Sequence, residues 1–375
     1  MKALFTTFPA YGHLLPMLPL AEAAAAAGDE VVIAAAKDLH ATAGDLTTRA
    51  LGPSLPDILA ENTSRFGRDV LGYRADDSDL LAENVALFTT TRADMAFDEL
   101  CELTAEERPD VIVAEMWDYL APLVARRLDI PWVTFVHSPA TPIDAALEGG
   151  LARTLEQRGL TMPARRATVQ LWPEWLESEQ TPARDEAVFA IQNVPYNTSA
   201  MVDIPAFDGE RPVVLVSLGT VVDDLALLKT AVRAVLDAGA DALVTTGFTT
   251  GAEDIEGDSG RVRAIPFAPM AQLLDRVQAV VAAGGSGTTL AALSRGLPLA
   301  FVPRMANNPL VASVVAGFGA GVVCDDPAKL TAAVPMLLDE PELRAQARAA
   351  SELLGGRPAP GAVWSALQNR VGQAG

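Results

Sequence analysis

Ala279-Val-Val-Ala-Ala-Gly-Gly-Ser-Gly-Thr-Thr289 reads as a short apolar strand that meets a pair of glycines and runs on into a helix. An apolar run without alternation suits a strand buried on both faces, as in a parallel sheet. Gly284, Gly285 and Gly287 permit a tight turn, and Ser286, Thr288 and Thr289 open the helix. Such a turn converges backbone N–H groups at a helix N-terminus, which suits a diphosphate. A strand-to-helix turn that binds nothing has the same appearance. The stretch has neither the lysine of a P-loop nor the full spacing of a dinucleotide fingerprint.

The same alternation extends on both sides. Upstream, Val213 to Ser217, Ala242 to Thr245 and Val262 to Ile265 read as strands, with a helix from Leu225 to Ala238. Downstream, Thr288 to Arg295 reads as a helix, Leu299 to Val302 as a strand and Leu310 to Gly317 as a helix. The first half repeats the pattern, with strands at Ala3 to Thr7, Glu30 to Ala35, Val111 to Ala114 and Trp132 to Val136. Its helices are Leu14 to Ala27, closed by Gly28, and Tyr119 to Leu128. Residues 40–105, rich in Asp, Thr and Gly, read as loops and helices over a pocket. Strands alternating with helices predict parallel sheets with crossover helices. Two such halves imply an α/β chain of two Rossmann-like domains facing a central cleft.

Composition sets limits. At 375 residues the chain is long enough for about two domains. Half of it is apolar and a fifth charged, which is globular. A net charge of -20 disfavours nucleic acid and anionic lipid as partners, so any anionic ligand must be held by local devices. Cys101 and Cys324 cannot form a disulfide framework, and a cytoplasmic, reducing setting is expected. The N-terminal apolar run stops at Pro9 and reads as a strand, not a signal peptide. No apolar stretch reaches membrane-spanning length, and a homodimer stays open. Three histidines (His13, His40 and His137) leave little scope for a histidine-rich metal site.

Further candidates lie just past the strands. Gly12-His13-Leu-Leu-Pro16 comes after the first strand, on the side where an open parallel sheet binds ligands. A histidine there can be a general base, because it titrates near physiological pH, or a capping or packing residue. Ser217-Leu-Gly219-Thr220 would present hydroxyls and amides to the same crevice. Phe267 before a helix either stacks on a nucleobase or fills the core.

Together these stretches resemble the GT-B glycosyltransferases of bacterial and plant secondary metabolism. The resemblance runs over nearly the whole chain, from Phe8-Pro-Ala-Tyr-Gly-His-Leu-Leu-Pro-Met-Leu-Pro-Leu-Ala21 to the donor segment Val281 to Ala320. It implies that His13 is the catalytic base. Pro109-Asp-Val-Ile-Val-Ala-Glu115 resembles the segment carrying the base's acidic partner, here Glu115 in place of the commoner Asp, with Asp118 as the nearby alternative. It further implies an acceptor domain over residues 1–197, a linker over 198–212, a nucleotide-sugar domain over 213–358, and a C-terminal helix over 359–375 packing back on the first domain. Donor contacts would come from Ser217, Gly219, Thr220, Phe267, Gly284, Gly285, Ser286, Gly287, Thr288, Asn307 and Asn308. Acceptor contacts would come from Phe66, Phe88, Trp117, His137 and Ser138.

The expected activity is inverting transfer of a deoxysugar, thymidine-linked, to a small hydrophobic natural product, with no metal and no cofactor besides the nucleotide sugar. The chain looks most like actinobacterial enzymes that glycosylate antibiotics. It departs from the family pattern at Ala282-Ala283, where two histidines are usual, and at Asn307-Asn308, where Asp-Gln is usual. A lost imidazole removes a charge-assisted contact of about 1.5–3 kcal/mol. These departures keep two alternatives open: a non-catalytic partner of another enzyme, and C-glycosylation or rearrangement chemistry on the same scaffold.

Overall fold

The computed structural model describes residues 1–70, 80–177, 186–197, 202–204, 206–219, 224–247, 251–255 and 260–372. The described chain forms two compact units. One comprises Met1–Pro173, Glu177–Gln192 and Pro358–Gly375; the other comprises Glu174–Leu176 and Asn193–Arg357.

The first unit opens with β1 (Lys2–Thr6), the single turn α1 (Tyr11–Leu14), α2 (Leu18–Ala26) and β2 (Glu30–Ala35). It continues through β3 (Thr47–Ala50), α3 (Leu55–Phe66), α4 (Leu81–Ala86) and α5 (Arg92–Glu107). β4 (Val111–Glu115), α6 (Leu120–Leu128), β5 (Trp132–Val136), α7 (Asp144–Gln157), β6 (Ala167–Gln170) and β7 (Ala187–Ala190) complete its sheet. The strands lie in the order β3-β2-β1-β4-β5-β6-β7 and every pairing is parallel. The central strands β4 and β5 are buried along their whole length, which is why they read as uninterrupted apolar runs.

The region 40–105 is more regular than its composition implies. It holds an edge strand and two long helices, and a single turn of π-helix, Leu87–Thr91, joins α4 to α5. Ser54 caps α3 and forms a capping box with Asp57, a local signal that outweighs the polar composition. Residues 71–79 of this region lie outside the described residues.

The second unit contains β8 (Val213–Ser217), α8 (Leu225–Asp237), β9 (Asp241–Thr245), β10 (Val262–Ile265), α9 (Met270–Leu273) and β11 (Ala279–Ala282). It goes on with α10 (Ser286–Ser294), β12 (Leu299–Phe301), α11 (Asn308–Phe318), β13 (Gly321–Val323), α12 (Leu330–Asp339) and α13 (Pro341–Gly355). Its all-parallel sheet has the order β10-β9-β8-β11-β12-β13. Part of the stretch 198–212, namely 198–201 and 205, lies outside the described residues.

The last helix, α14 (Pro360–Gly372), belongs to the first unit and packs on α2. Asp29 holds it there. Its Oδ2 accepts from Trp364 Nε1 and Gln368 Nε2, both at 2.6 Å, while Oδ1 accepts from the N-terminal ammonium at 2.6 Å. Trp364 is fully buried.

Candidate active site

Strand order brings the first constellation together. β1, β4 and β5 are neighbours, so the loops leaving their carboxyl ends lie side by side. The order reverses between β1 and β4, the crevice where open α/β sheets hold ligands. His13 comes from α1 just after β1, Glu115 is the last residue of β4, and His137 is the first residue past β5. Ala10 enters α1 in an extended conformation and its carbonyl accepts from His13 N at 3.0 Å, which fixes the bend.

Glu115 is buried, and its carboxylate oxygens face three N–H groups among the described residues. Its Oε1 accepts from His137 Nε2 at 2.9 Å and from the Trp117 amide at 3.0 Å. Its Oε2 lies 2.9 Å from His13 Nδ1, as a close ion-pair contact and not as an aligned hydrogen bond. Burial alone would push the Glu115 carboxyl up. The charge and close contact of His13, with the hydrogen bond of His137, outweigh burial and hold it well below the usual glutamate range. Glu115, not Asp118, therefore reaches His13. Asp118 is buried beside it, pushed up by burial against the opposing charge of Arg92.

Rings surround the base. His13 lies 5.5 Å from Phe8, 5.3 Å from Trp117 and 5.4 Å from His137, and Phe88 lies 4.6 Å from Phe8. The His13 side chain keeps 17% of its surface exposed, enough to meet a substrate hydroxyl. Of the expected acceptor contacts, Phe88 and Trp117 join this aromatic wall. His137 is buried and turned onto Glu115, and Ser138 beside it is also buried. Phe66, at the end of α3, is 41% exposed and joins none of these ring contacts.

His13, Glu115 and His137 also have the composition of a metal site, with candidate ligand atoms within 4.8 Å of one another. Two ligands on one tetrahedral zinc, each about 2.0–2.1 Å from the ion, stand roughly 3.3 Å apart. The 2.9 Å separations are shorter and match proton-sharing pairs. A cavity of about 520 Å³ elsewhere in this unit is lined by Arg68, Glu83, Val85, Thr89, Ala146 and Arg153 among others.

The second constellation is built on β8, β11 and β12. Here the strand order reverses between β8 and β11. Gly284 has φ +98°, and a Cβ there would stand 2.7 Å from the Asn308 carbonyl oxygen, so only glycine fits. Gly285 is the N-cap of α10 and supplies no side-chain cap, so the first-turn amides at Ser286, Gly287 and Thr288 point out of the helix end. The closeness of Gly284 to Asn308 sets the N-terminus of α11, with Asn307 as its N-cap, beside this loop.

Ser217 is buried and its hydroxyl accepts from Thr245 Oγ1 at 2.8 Å. Gly219 is exposed with φ +87°, while Thr220 lies outside the described residues. Phe267 is half-buried, its ring 6.4 Å from that of Tyr196. Ala283 is buried in the core of this unit, where an imidazole would not fit without displacement.

Arg304 belongs with these residues, although no motif in the sequence signals it. It lies just past β12, and its guanidinium is 4.0 Å from Asp224, the N-cap of α8 after β8. β11 lies between β8 and β12 in the sheet, so this pair joins segments that follow the strands on either side of it. Its Nε is buried without a hydrogen-bond partner among the described residues. Only strand order could have pointed to it.

Known proteins match along the chain. Residues 236–369 match the model of the C-terminal domain of erythromycin biosynthesis protein CIII-like proteins, and 17–171 match a glycosyl transferase 4-like domain. The chain is 31% identical to the elloramycin glycosyltransferase ElmGT of Streptomyces olivaceus, over 99% of this chain and 98% of that protein. It is 29% identical to the L-demethylnoviosyl transferase of Streptomyces niveus, over 98% and 97%. The Streptomyces sp. SF2575 glycosyltransferase SsfS6, solved with thymidine diphosphate, superposes with a TM-score of 0.83 at 26% identity, covering 98% of this chain and 99% of that one. The two parallel sheets, the returning C-terminal helix and this near full-length similarity converge: the chain is a glycosyltransferase and belongs to the GT-B family of actinobacterial secondary metabolism.

Proposed function

We propose that this enzyme transfers a deoxysugar from a thymidine diphosphate donor to a hydroxyl of a small apolar natural product, with inversion. The observation that carries the reading is the partly exposed His13 ring set 2.9 Å from the buried Glu115 carboxylate, within a wall of Phe8, Phe88 and Trp117. The carboxylate occupies Nδ1, so Nε2 is the nitrogen offered to the acceptor. His13 Nε2 takes the hydroxyl proton as the acceptor oxygen bonds to the anomeric carbon. The bond from that carbon to the diphosphate breaks on the opposite face, and thymidine diphosphate leaves. Glu115 stabilises the imidazolium formed, the logic of a base held by a buried carboxylate.

The N-termini of α10 and α11 and the Arg304 guanidinium would hold the leaving diphosphate, whose developing charge they oppose without a metal. A thymidine-linked donor is supported by the SsfS6 complex with thymidine diphosphate, and a natural-product acceptor by the elloramycin glycosyltransferase among the relatives. Asn307-Asn308 in place of an acid suits a donor sugar with few hydroxyls. The two free cysteines suit a cytoplasmic setting. The non-catalytic alternative is not favoured, since the relatives are themselves transferases.

Calorimetry with thymidine diphosphate tests the donor: binding is expected in the micromolar to millimolar range, and no binding overturns the reading. His13→Ala should abolish turnover of a thymidine diphosphate deoxysugar and leave nucleotide binding unchanged. Surviving turnover would show that His13 is not the base.

A further inference from the structure

We propose that His137 is a positioning residue of the transfer reaction: as a donor through Nε2 it anchors Glu115 and divides that carboxylate between two histidines. The proposal rests on the reading of His13 as the base.

The geometry distinguishes the two rings. His137 makes the aligned hydrogen bond to Glu115, and with the Trp117 amide it saturates Oε1. His13 makes the close but unaligned contact to Oε2. One oxygen is therefore pinned by two donors from separate segments, and the other is left for the base alone. His137 is 3% exposed and its Nδ1 is buried with no hydrogen-bond partner among the described residues. A carboxylate oxygen can only accept, so the hydrogen of this bond sits on Nε2. Trp117 packs edge-on against His137 at 89° with centroids 5.6 Å apart, which fixes the ring plane.

Other ionisable groups act on the cluster from nearby. On Glu115's own segment these are the buried Asp118 and Tyr119, with Arg92 of α5 set against Asp118. Arg92 is itself buried, and its guanidinium nitrogens have no hydrogen-bond partner among the described residues.

Without His137 the Glu115 carboxylate can swing away from Nδ1, so the base loses its orientation.

His137→Phe, which fills the space without a donor, and His137→Gln, which restores one near Nε2, test this. In His137→Phe, kcat should fall about 10–100-fold with acceptor KM nearly unchanged. His137→Gln should recover most of that loss. A folded His137→Phe with wild-type kcat overturns the proposal.

If that variant does not fold, the wild type still decides. The chain has three histidines, so ¹⁵N-histidine spectra resolve each ring. His137 should show its hydrogen on Nε2; an Nε2 without a hydrogen overturns the proposal. Failure of the wild type with every thymidine-linked donor overturns the transfer reading and the proposal together. An active wild type unaffected by His137→Phe overturns the proposal alone.

Discussion

Replacing Glu115 with glutamine is the most exacting test of the first constellation. Three N–H donors face this carboxylate: His137 Nε2 at 2.9 Å, the Trp117 amide at 3.0 Å and His13 Nδ1 at 2.9 Å. A carboxylate can face all three, accepting from two and pairing closely with the third, whereas an amide offers one oxygen and an NH2. The amide oxygen belongs on the side of His137 and Trp117, where two donors converge. Its NH2 then faces His13 Nδ1 and forces the imidazole hydrogen onto Nε2, so the base arrives already protonated where it must accept. A reversed tautomer in a comparable dyad costs about 10⁴ in rate, or roughly 5.5 kcal/mol of transition-state stabilisation. In Glu115→Gln, kcat for deoxysugar transfer, followed by chromatography of the glycoside, should therefore fall on the order of 10³–10⁴-fold. Thymidine diphosphate affinity should not change. A kcat within about threefold of wild type would refute the argument, because a tautomer error cannot be that mild.

The same substitution carries a stability signature. The folded pKa of Glu115 is depressed, so its contribution is present above the unfolded value and is lost as pH falls through the folded one. The melting-temperature gap between wild type and Glu115→Gln should be constant near neutral pH and shrink below about pH 4.3; a gap that widens on acidification would contradict the depressed pKa. Gly284→Ala forces a positive φ on alanine and puts its methyl 2.7 Å from the Asn308 carbonyl. It should cost about 1–3 kcal/mol in thermal or denaturant unfolding and weaken nucleotide binding, and wild-type behaviour in both would show that the turn is not tight. Arg304→Ala should raise the dissociation constant for thymidine diphosphate by about 10-fold or more, with little change in melting temperature. An unchanged constant in calorimetry would remove Arg304 from the donor site.

Much of the fold is legible in the residues themselves. The predicted strands at Glu30 to Ala35, Trp132 to Val136, Val213 to Ser217, Val262 to Ile265 and Ala279 to Ala282 coincide with β2, β5, β8, β10 and β11. They are readable because strands covered on both faces carry an uninterrupted apolar run, closed by glycine or proline. β7 and β13 are not, being short, partly exposed strands at the sheet edges, and β6 is not because its four buried residues include Thr168 and Gln170. The helices α3, α5 and α7 escape a reading by composition because their exposed faces are polar. In the same way, His137 reads as a pocket residue because nothing in Val136-His-Ser138 reveals its partner 22 residues upstream.

The sequence alone determined which segments are strands, that a glycine turn meets a helix N-terminus at Gly284, and that a histidine comes after the first strand. These are local properties, set by burial and by the conformations that glycine and apolar residues allow. Only the tertiary structure decided that Glu115 serves two histidines, that Asp29 ties Trp364 and Gln368 to the chain's beginning, and that Arg304 reaches Asp224. The physical reason is strand order: a parallel sheet places β1, β4 and β5 side by side regardless of their spacing in the chain. Which side chains then meet depends on register and rotamer, and neither is written in any single segment.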